Sequence, residues 1–243
     1  MTYCLGVLLD SGVLMVSDSR TSAGIDQIAS VCKMEIFENG GTHFISILSA
    51  GNLATTQAVI STMRQSLGSG VIGSDLFTAV TMFDATQVVA NTLRSIMARD
   101  ADYVRAFGDP TGSFVVGGQV AGEPCRLFEI YPATNFIEAG PRQPFMQIGE
   151  SKYGKPILDR AITPGTDMME AVKLSLISFD ATIRSNLSVG APIDVMVYYN
   201  DQFTSASRHT FIEDDDYFSA LRKDYADQLI GVVQGLPNPP LDG

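Results

Sequence analysis

Apolar positions along the first fifty residues fall in short runs broken by turn signals, the pattern of β-strands. Tyr3 to Leu9 is apolar and rich in β-formers, Asp10-Ser11-Gly12 is a turn signal, and Val13 to Ser17 is a second run. A polar loop follows from Thr21 to Gln27. Two further strands, Ser30 to Phe37 and His43 to Ser49, flank the turn Glu38-Asn39-Gly40-Gly41. The period then changes. Asn52 to Ser66 and Asp75 to Met97 carry apolar residues at helical spacing, joined by a Gly/Ser-rich loop.

The second half repeats this order. Ser113 to Val116, Cys125 to Tyr131, Phe136 to Glu138 and Phe145 to Ile148 suit strands. Lys155 to Ile162 and Asp167 to Asn186 suit helices, Ile193 to Tyr199 a buried strand, and Phe218 to Val233 a last helix. The tail Leu236-Pro237-Asn238-Pro239-Pro240 cannot extend that helix, because proline lacks the N–H and clashes with the preceding turn. Strands, two helices, strands, two helices, strands is the order of an α+β sandwich in which two antiparallel sheets lie between helical layers. No linker or repeat divides the chain, so residues 1–243 are expected to form one domain, with a terminal helix and Pro-rich tail over about 214–243.

Composition narrows the class. The 243 residues are ample for a sizeable core, and 45% hydrophobic with 18% charged residues describes a globular chain. No apolar run is long enough to span a bilayer, and the start has no basic-then-apolar leader, so a cytoplasmic protein is expected. The net charge of −11 excludes a phosphate-backbone footprint and hence nucleic acid as a partner. Cys4, Cys32 and Cys125 lack CxxC spacing and read as reduced thiols.

Candidate chemistry gathers at the beginning of the chain. With a loop of Asp10-Ser11, the first hairpin pairs Leu9 with Gly12 and sets Thr2 opposite Ser19; with a loop one residue longer, Thr2 faces Arg20. Either register lays Asp18-Ser19-Arg20 beside the chain start. Removal of Met1 would leave Thr2 with a hydroxyl and an α-amine on one residue. A hydroxyl needs an adjacent base to become a nucleophile, and a terminal amine with an ordinary pKa of about 7.7–8.0 is such a base. A nearby cation lowers that pKa and keeps the amine neutral. Lys33, on the strand Ser30 to Phe37, is the candidate cation, and Asp18 its partner. Taken singly, a threonine at position 2 carries no information, and an Asp–Lys pair more often sits on a surface.

Together, these residues resemble a known family. Thr2, Val16-Ser17-Asp18-Ser19-Arg20, Lys33 and Leu48-Ser49-Ala50-Gly51 stand in the order and spacing of proteasome β-type subunits. Ile148-Gly149-Glu150-Ser151-Lys152-Tyr153-Gly154 and Ser188-Val189-Gly190 are similar to later motifs of that family. The stretches Ser49 to Gln57 and Gly149 to Pro156 look closest to its bacterial proteasome-like homologues.

The resemblance implies a four-layer αββα sandwich of the N-terminal-nucleophile hydrolase type and a threonine peptidase. Thr2 would be nucleophile and base, Asp18 and Lys33 the supporting pair, and the Gly51 N–H an oxyanion donor. Ser151 would be the serine near the amine, with Glu150 as the alternative because the match is ambiguous by one residue. Ser19, Arg20 and Ser188 are further candidates. Where the family carries an aspartate three residues before its second serine, this chain has Ser185. The resemblance further implies a homo-oligomer on the order of a dozen subunits, as a ring or open helical turn, acting on a peptide or amide without metal or organic cofactor. A small-molecule amidohydrolase and a non-catalytic scaffold subunit are the alternatives. Scaffold subunits carry residues ahead of the threonine, whereas only Met1 precedes it here. The sequence does not specify an unfoldase partner.

Other motifs carry less. Gly68-Ser69-Gly70-Val71-Ile72-Gly73 fits GxGxxG but follows a helical stretch where a dinucleotide fold needs a strand. Gly117 to Gly122 lacks the lysine of a P-loop. His43 and His209 are the only histidines and no GxSxG accompanies them, so a Ser-His-Asp enzyme is not expected. Glu213-Asp214-Asp215-Asp216 reads as a favourable charge cluster at the start of the final helix.

Overall fold

The fold is taken from a computed structural model, which describes residues 2–22, 28–205 and 207–241. One five-stranded antiparallel sheet has the order β10-β1-β2-β11-β12, formed by β1 (Tyr3–Leu9), β2 (Gly12–Asp18), β10 (Phe145–Gly149), β11 (Ile193–Tyr199) and β12 (Ser207–Phe211). The other has the order β5-β6-β7-β8-β9, formed by β5 (Met34–Asn39), β6 (His43–Gly51), β7 (Gly112–Val120), β8 (Arg126–Ile130) and β9 (Phe136–Glu138). Helices α1 (Leu53–Ser66) and α2 (Met82–Val104) cover the second sheet. Helices α3 (Lys155–Ala161), α4 (Met168–Ser185) and α5 (Asp216–Gln234) follow the same logic on the first. This is the expected αββα sandwich.

Three apolar layers result. Cys4, Val13, Met15, Phe44, Leu48, Val115, Leu127, Met196 and Tyr198 fill the space between the sheets, with Phe44 and Tyr198 stacked at 4.0 Å. Tyr3, Leu5, Val7, Leu14 and Val16 face the other way, onto Leu176 and Phe179 of α4 and Phe218 of α5. Because β1 and β2 are buried on both faces, their sequences read as unbroken apolar runs with no alternation. Each large side chain removed from water here contributes about 1.5–3 kcal/mol. Among the described residues, no helix is long and apolar enough to cross a membrane.

Several boundaries differ from the sequence expectation. The stretch Ser30 to Phe37 is not one strand. Arg20–Ser22 (β3) and Ile28–Ser30 (β4) pair as a two-stranded ribbon, residues 31–33 are irregular, and β5 begins at Met34. Lys33 therefore precedes a strand. The expected loop Thr21 to Gln27 lies partly in that ribbon, and 23–27 fall outside the described residues. The expected helix Asp75 to Met97 starts later. Asp75 caps a single 3-10 turn at Leu76–Thr78, and the α-helix begins after Thr81, where Thr81 and Asp84 form a reciprocal capping box. Ser207–Phe211 carries no apolar signal because four of its five residues are exposed on an edge strand.

Candidate active site

The hairpin register runs from Leu9↔Gly12 to Cys4↔Ser17, so the shorter loop is the one adopted and its continuation sets Thr2 opposite Ser19. On its other side, β1 pairs with β10, ending at Tyr3↔Gly149. Thr2 is held by its backbone there: its C=O accepts a 2.8 Å hydrogen bond from the Glu150 N–H. Gly149 has φ +83°, and a Cβ on it would lie 1.9 Å from that same Thr2 oxygen. Only glycine can turn the chain this close to residue 2. The next N–H, that of Tyr3, leaves the ladder and donates to Asp18 Oδ1 at 3.0 Å.

Asp18 Oδ1 also accepts from Lys33 Nζ at 2.7 Å, and Nζ donates a second bond to the Arg20 C=O at 2.7 Å. The Lys33 side chain is 5% exposed and that of Asp18 fully buried. A buried pair of this kind survives only when its desolvation is offset by close geometry and further hydrogen bonds, and both are present. Burial pushes the Asp18 carboxyl above the ordinary aspartate value, against the opposing pull of the Lys33 ammonium and the Tyr3 N–H.

Ser19 lies between these two acceptors of the lysine. Its C=O accepts from the Val31 N–H at 2.8 Å, and its hydroxyl donates to Asp194 Oδ2 at 2.5 Å, while Thr210 donates to Asp194 Oδ1 at 2.7 Å. Asp194 thus fastens the 18–20 segment to β11 and β12. Sequence reasoning did not single it out. The available signal was a carboxylate inside the apolar run Ile193 to Tyr199.

Arg20 reaches away from the ion pair. Its guanidinium packs against Gly190, donates to the Leu187 C=O at 3.4 Å and stands 3.8 Å from Glu213. It thereby ties the segment carrying Ser188 to the end of β2. Ser188 is half-buried, its N–H donating to Asn186 Oδ1. Ser185 is exposed on the last turn of α4, and among the described residues no contact joins it to Thr2, Asp18 or Lys33.

Gly51 ends β6, with φ +109° and the Thr111 C=O where a Cβ would stand. Two residues earlier, the Ser49 N–H donates to the Lys33 C=O at 3.0 Å, which joins β6 to the lysine segment. The Ser49 C=O accepts from the buried Cys4 thiol. Of the two alternatives in the 149–154 loop, Glu150 touches Thr2, but through its backbone. Its carboxylate lies 3.6 Å from Lys152. Ser151 is the next residue, half-buried. His43 bonds to Thr42 and to the Ala79 C=O, and Asp215 caps α5, so both have local structural work. Among the described residues, no group of three or more His, Cys, Asp or Glu is arranged to hold a metal ion.

Two five-stranded sheets between helical layers, with the first strand's opening residue beside a buried Lys–Asp pair, define a proteasome-like β-subunit of the N-terminal-nucleophile hydrolase fold. No protein-family model matches the sequence, and no curated protein does either. Solved structures do match it. Anbu (ancestral beta-subunit) from Yersinia bercovieri is 41% identical, with a TM-score of 0.91 over 98% of this chain and 99% of that one. The Anbu complex from Pseudomonas aeruginosa, solved as a helical assembly, is 45% identical, with a TM-score of 0.91 over 98% of each chain. The Gly-1 mutant of Anbu from Hyphomicrobium sp. strain MC1 is 41% identical, with a TM-score of 0.92 over 99% of this chain and 100% of that one. The chain belongs to the Anbu family of proteasome-like β-subunits.

Proposed function

We propose that this protein is a threonine-type amide hydrolase in which Thr2, freed by removal of Met1, supplies both attacker and base. The supporting observation is that the Lys33 ammonium and the Tyr3 N–H meet on one buried oxygen of Asp18. A cation held on the carboxylate that also bonds the amide next to Thr2 disfavours the ammonium form of the Thr2 amine, so the amine stays neutral and can accept the hydroxyl proton.

In the reaction, the Thr2 hydroxyl gives its proton to its own amine as Oγ1 bonds to the substrate carbonyl carbon. The Gly51 N–H is assigned to the resulting oxyanion, a donor whose removal typically costs about 2.7–4 kcal/mol of barrier. Collapse breaks the C–N bond, and the protonated amine returns its proton to the leaving nitrogen. Water then attacks the ester by the reverse sequence and releases the acid. Ser151 and Ser188 are assigned to the surroundings of the amine.

Peptides are the proposed substrates, with the active sites enclosed by a cytoplasmic homo-oligomer. The Anbu complex from Pseudomonas aeruginosa forms a helical assembly. In this chain, Leu229, Ile230, Val232 and Val233 on the last turns of α5, with Leu236 just past its end, form an exposed apolar stripe, which a second subunit can cover. A small-amide substrate is the second reading, favoured by exposed Ser185 standing where the family resemblance leads one to expect an aspartate. Assaying the assembled protein and Thr2→Ala on fluorogenic peptides and on simple amides tests both. Turnover of peptides, lost in Thr2→Ala, supports the first; turnover of simple amides alone supports the second. Turnover of either that survives Thr2→Ala contradicts the mechanism.

A further inference from the structure

Tyr3, the residue after the proposed nucleophile, is completely buried, and its hydroxyl sits in a polar socket within an otherwise apolar layer. Gln147 Nε2 of β10 donates to it at 2.5 Å, and Ser178 Oγ of α4 lies 2.7 Å away. Gln147 donates to the phenol oxygen, and the phenol keeps its own proton in a hydroxyl–hydroxyl bond with Ser178 in which either oxygen can be the donor. Burial pushes the phenol pKa up to about 12, so that proton is present throughout the neutral range. The ring packs on Phe179, one residue along α4, at 4.4 Å.

The loop after β10 is shaped around this hydroxyl. A Cβ on Gly154 would stand 2.1 Å from Ser178 Oγ and 2.7 Å from the Tyr3 hydroxyl. The Gly149-to-Gly154 motif thus wraps residues 2 and 3 at both ends: Gly149 admits the Thr2 carbonyl and Gly154 admits the Tyr3 hydroxyl. Three elements distant in sequence (β10, the start of α3, and α4) converge on a side chain whose backbone N–H is bonded to Asp18.

A structural tyrosine needs only its ring for such packing. A phenol hydrogen-bonded to two different elements is fixed in rotation and along the strand, and it fixes the backbone that carries the Thr2 hydroxyl. We propose that Tyr3, through Ser178 and Gln147, is a positioning residue that sets the attack geometry of Thr2. This rests on Thr2 being the nucleophile. Misplacement of a reacting group by about 1 Å can cost on the order of 100-fold in rate.

The test uses the intact assembly and a peptide epoxyketone, whose two electrophilic carbons take the threonine oxygen and the amine. Inactivation rate (kinact) and affinity (KI) are measured for wild type, Tyr3→Phe, Ser178→Ala and the double variant. Tyr3→Phe keeps the ring, and Ser178→Ala leaves residue 3 untouched. The expected result is that kinact falls by roughly 10- to 100-fold in each single variant with KI within about twofold. The double variant is expected to be no slower than the worse single one, as for a coupled pair. Unchanged kinact in Tyr3→Phe, or equal losses in kinact and affinity, or additive losses in the double variant, overturn the proposal while leaving Thr2 as nucleophile. A wild-type protein that takes no label at Thr2 overturns both.

Discussion

The Tyr3 N–H and the Lys33 ammonium donate to the same atom, Asp18 Oδ1, from 3.0 and 2.7 Å. That shared oxygen joins the start of β1 to the charge proposed to activate it. It also makes Asp18 and Lys33 interdependent for both folding and activity.

Lys33→Ala is expected to abolish labelling of Thr2 and to destabilise the fold by about 3 kcal/mol, because a buried carboxylate loses its partner. The sign with pH follows from burial. The folded-state pKa of Asp18 is raised above its unfolded value, and loss of Lys33 raises it further. Stability from protonated Asp18 is therefore complete below the unfolded pKa and is lost as pH rises through the folded one. The difference between wild type and variant should shrink on acidification. Denaturant melts at several pH values check this, and a constant or widening difference would count against it.

Gly149→Ala should cost about 2 kcal/mol or more and inactivate the protein, since a methyl group there meets the Thr2 carbonyl at a φ of +83°. Gly40→Ala, with open space around its Cβ position, is the control and should change stability by no more than a few tenths of a kcal/mol. Thermal melts of both variants decide the matter.

Much of this site was legible in the chain itself. The run Tyr3 to Leu9 and the turn at Asp10-Ser11-Gly12 gave the hairpin, and its register carried Asp18 to the chain start. Lys33 was found by charge and spacing, although the expected strand around it is irregular backbone. An ammonium that must bond both Asp18 and the Arg20 carbonyl is held beside the short β3–β4 ribbon, which has no hydrophobic period to betray it. The Asp194–Ser19 bond and the Tyr3 socket were not legible, because the residues they join lie more than a hundred positions apart and only packing brings them together. β12 was missed for a related reason: an exposed edge strand buries too little to leave a pattern.

Alkaline stability should fall from about pH 9 upward. Burial raises the Cys125 thiol from 9.0 to about 12 and Tyr3 from 10.0 to about 12. In that window, the unfolded chain has released protons that the folded chain retains, so unfolding is favoured as pH rises. The slope is up to about 1.4 kcal/mol per pH unit for each group. Tyr3→Phe should make the slope shallower, as measured by urea melts between pH 8 and 11.

Assembly should depend on α5. Leu229→Asp with Val233→Asp places two carboxylates in the exposed stripe without touching the core, so the fold should persist while the oligomer dissociates. Sedimentation velocity reads the outcome, and an unchanged particle would assign assembly to another surface.

Mass spectrometry of the purified protein, intact and after reaction with the epoxyketone, tests the central claim most directly. A chain that lacks Met1 and carries a single adduct, mapped to Thr2 in the N-terminal peptide and absent from Lys33→Ala, is the predicted result. A chain that retains Met1, or an adduct on any residue other than Thr2, would contradict it.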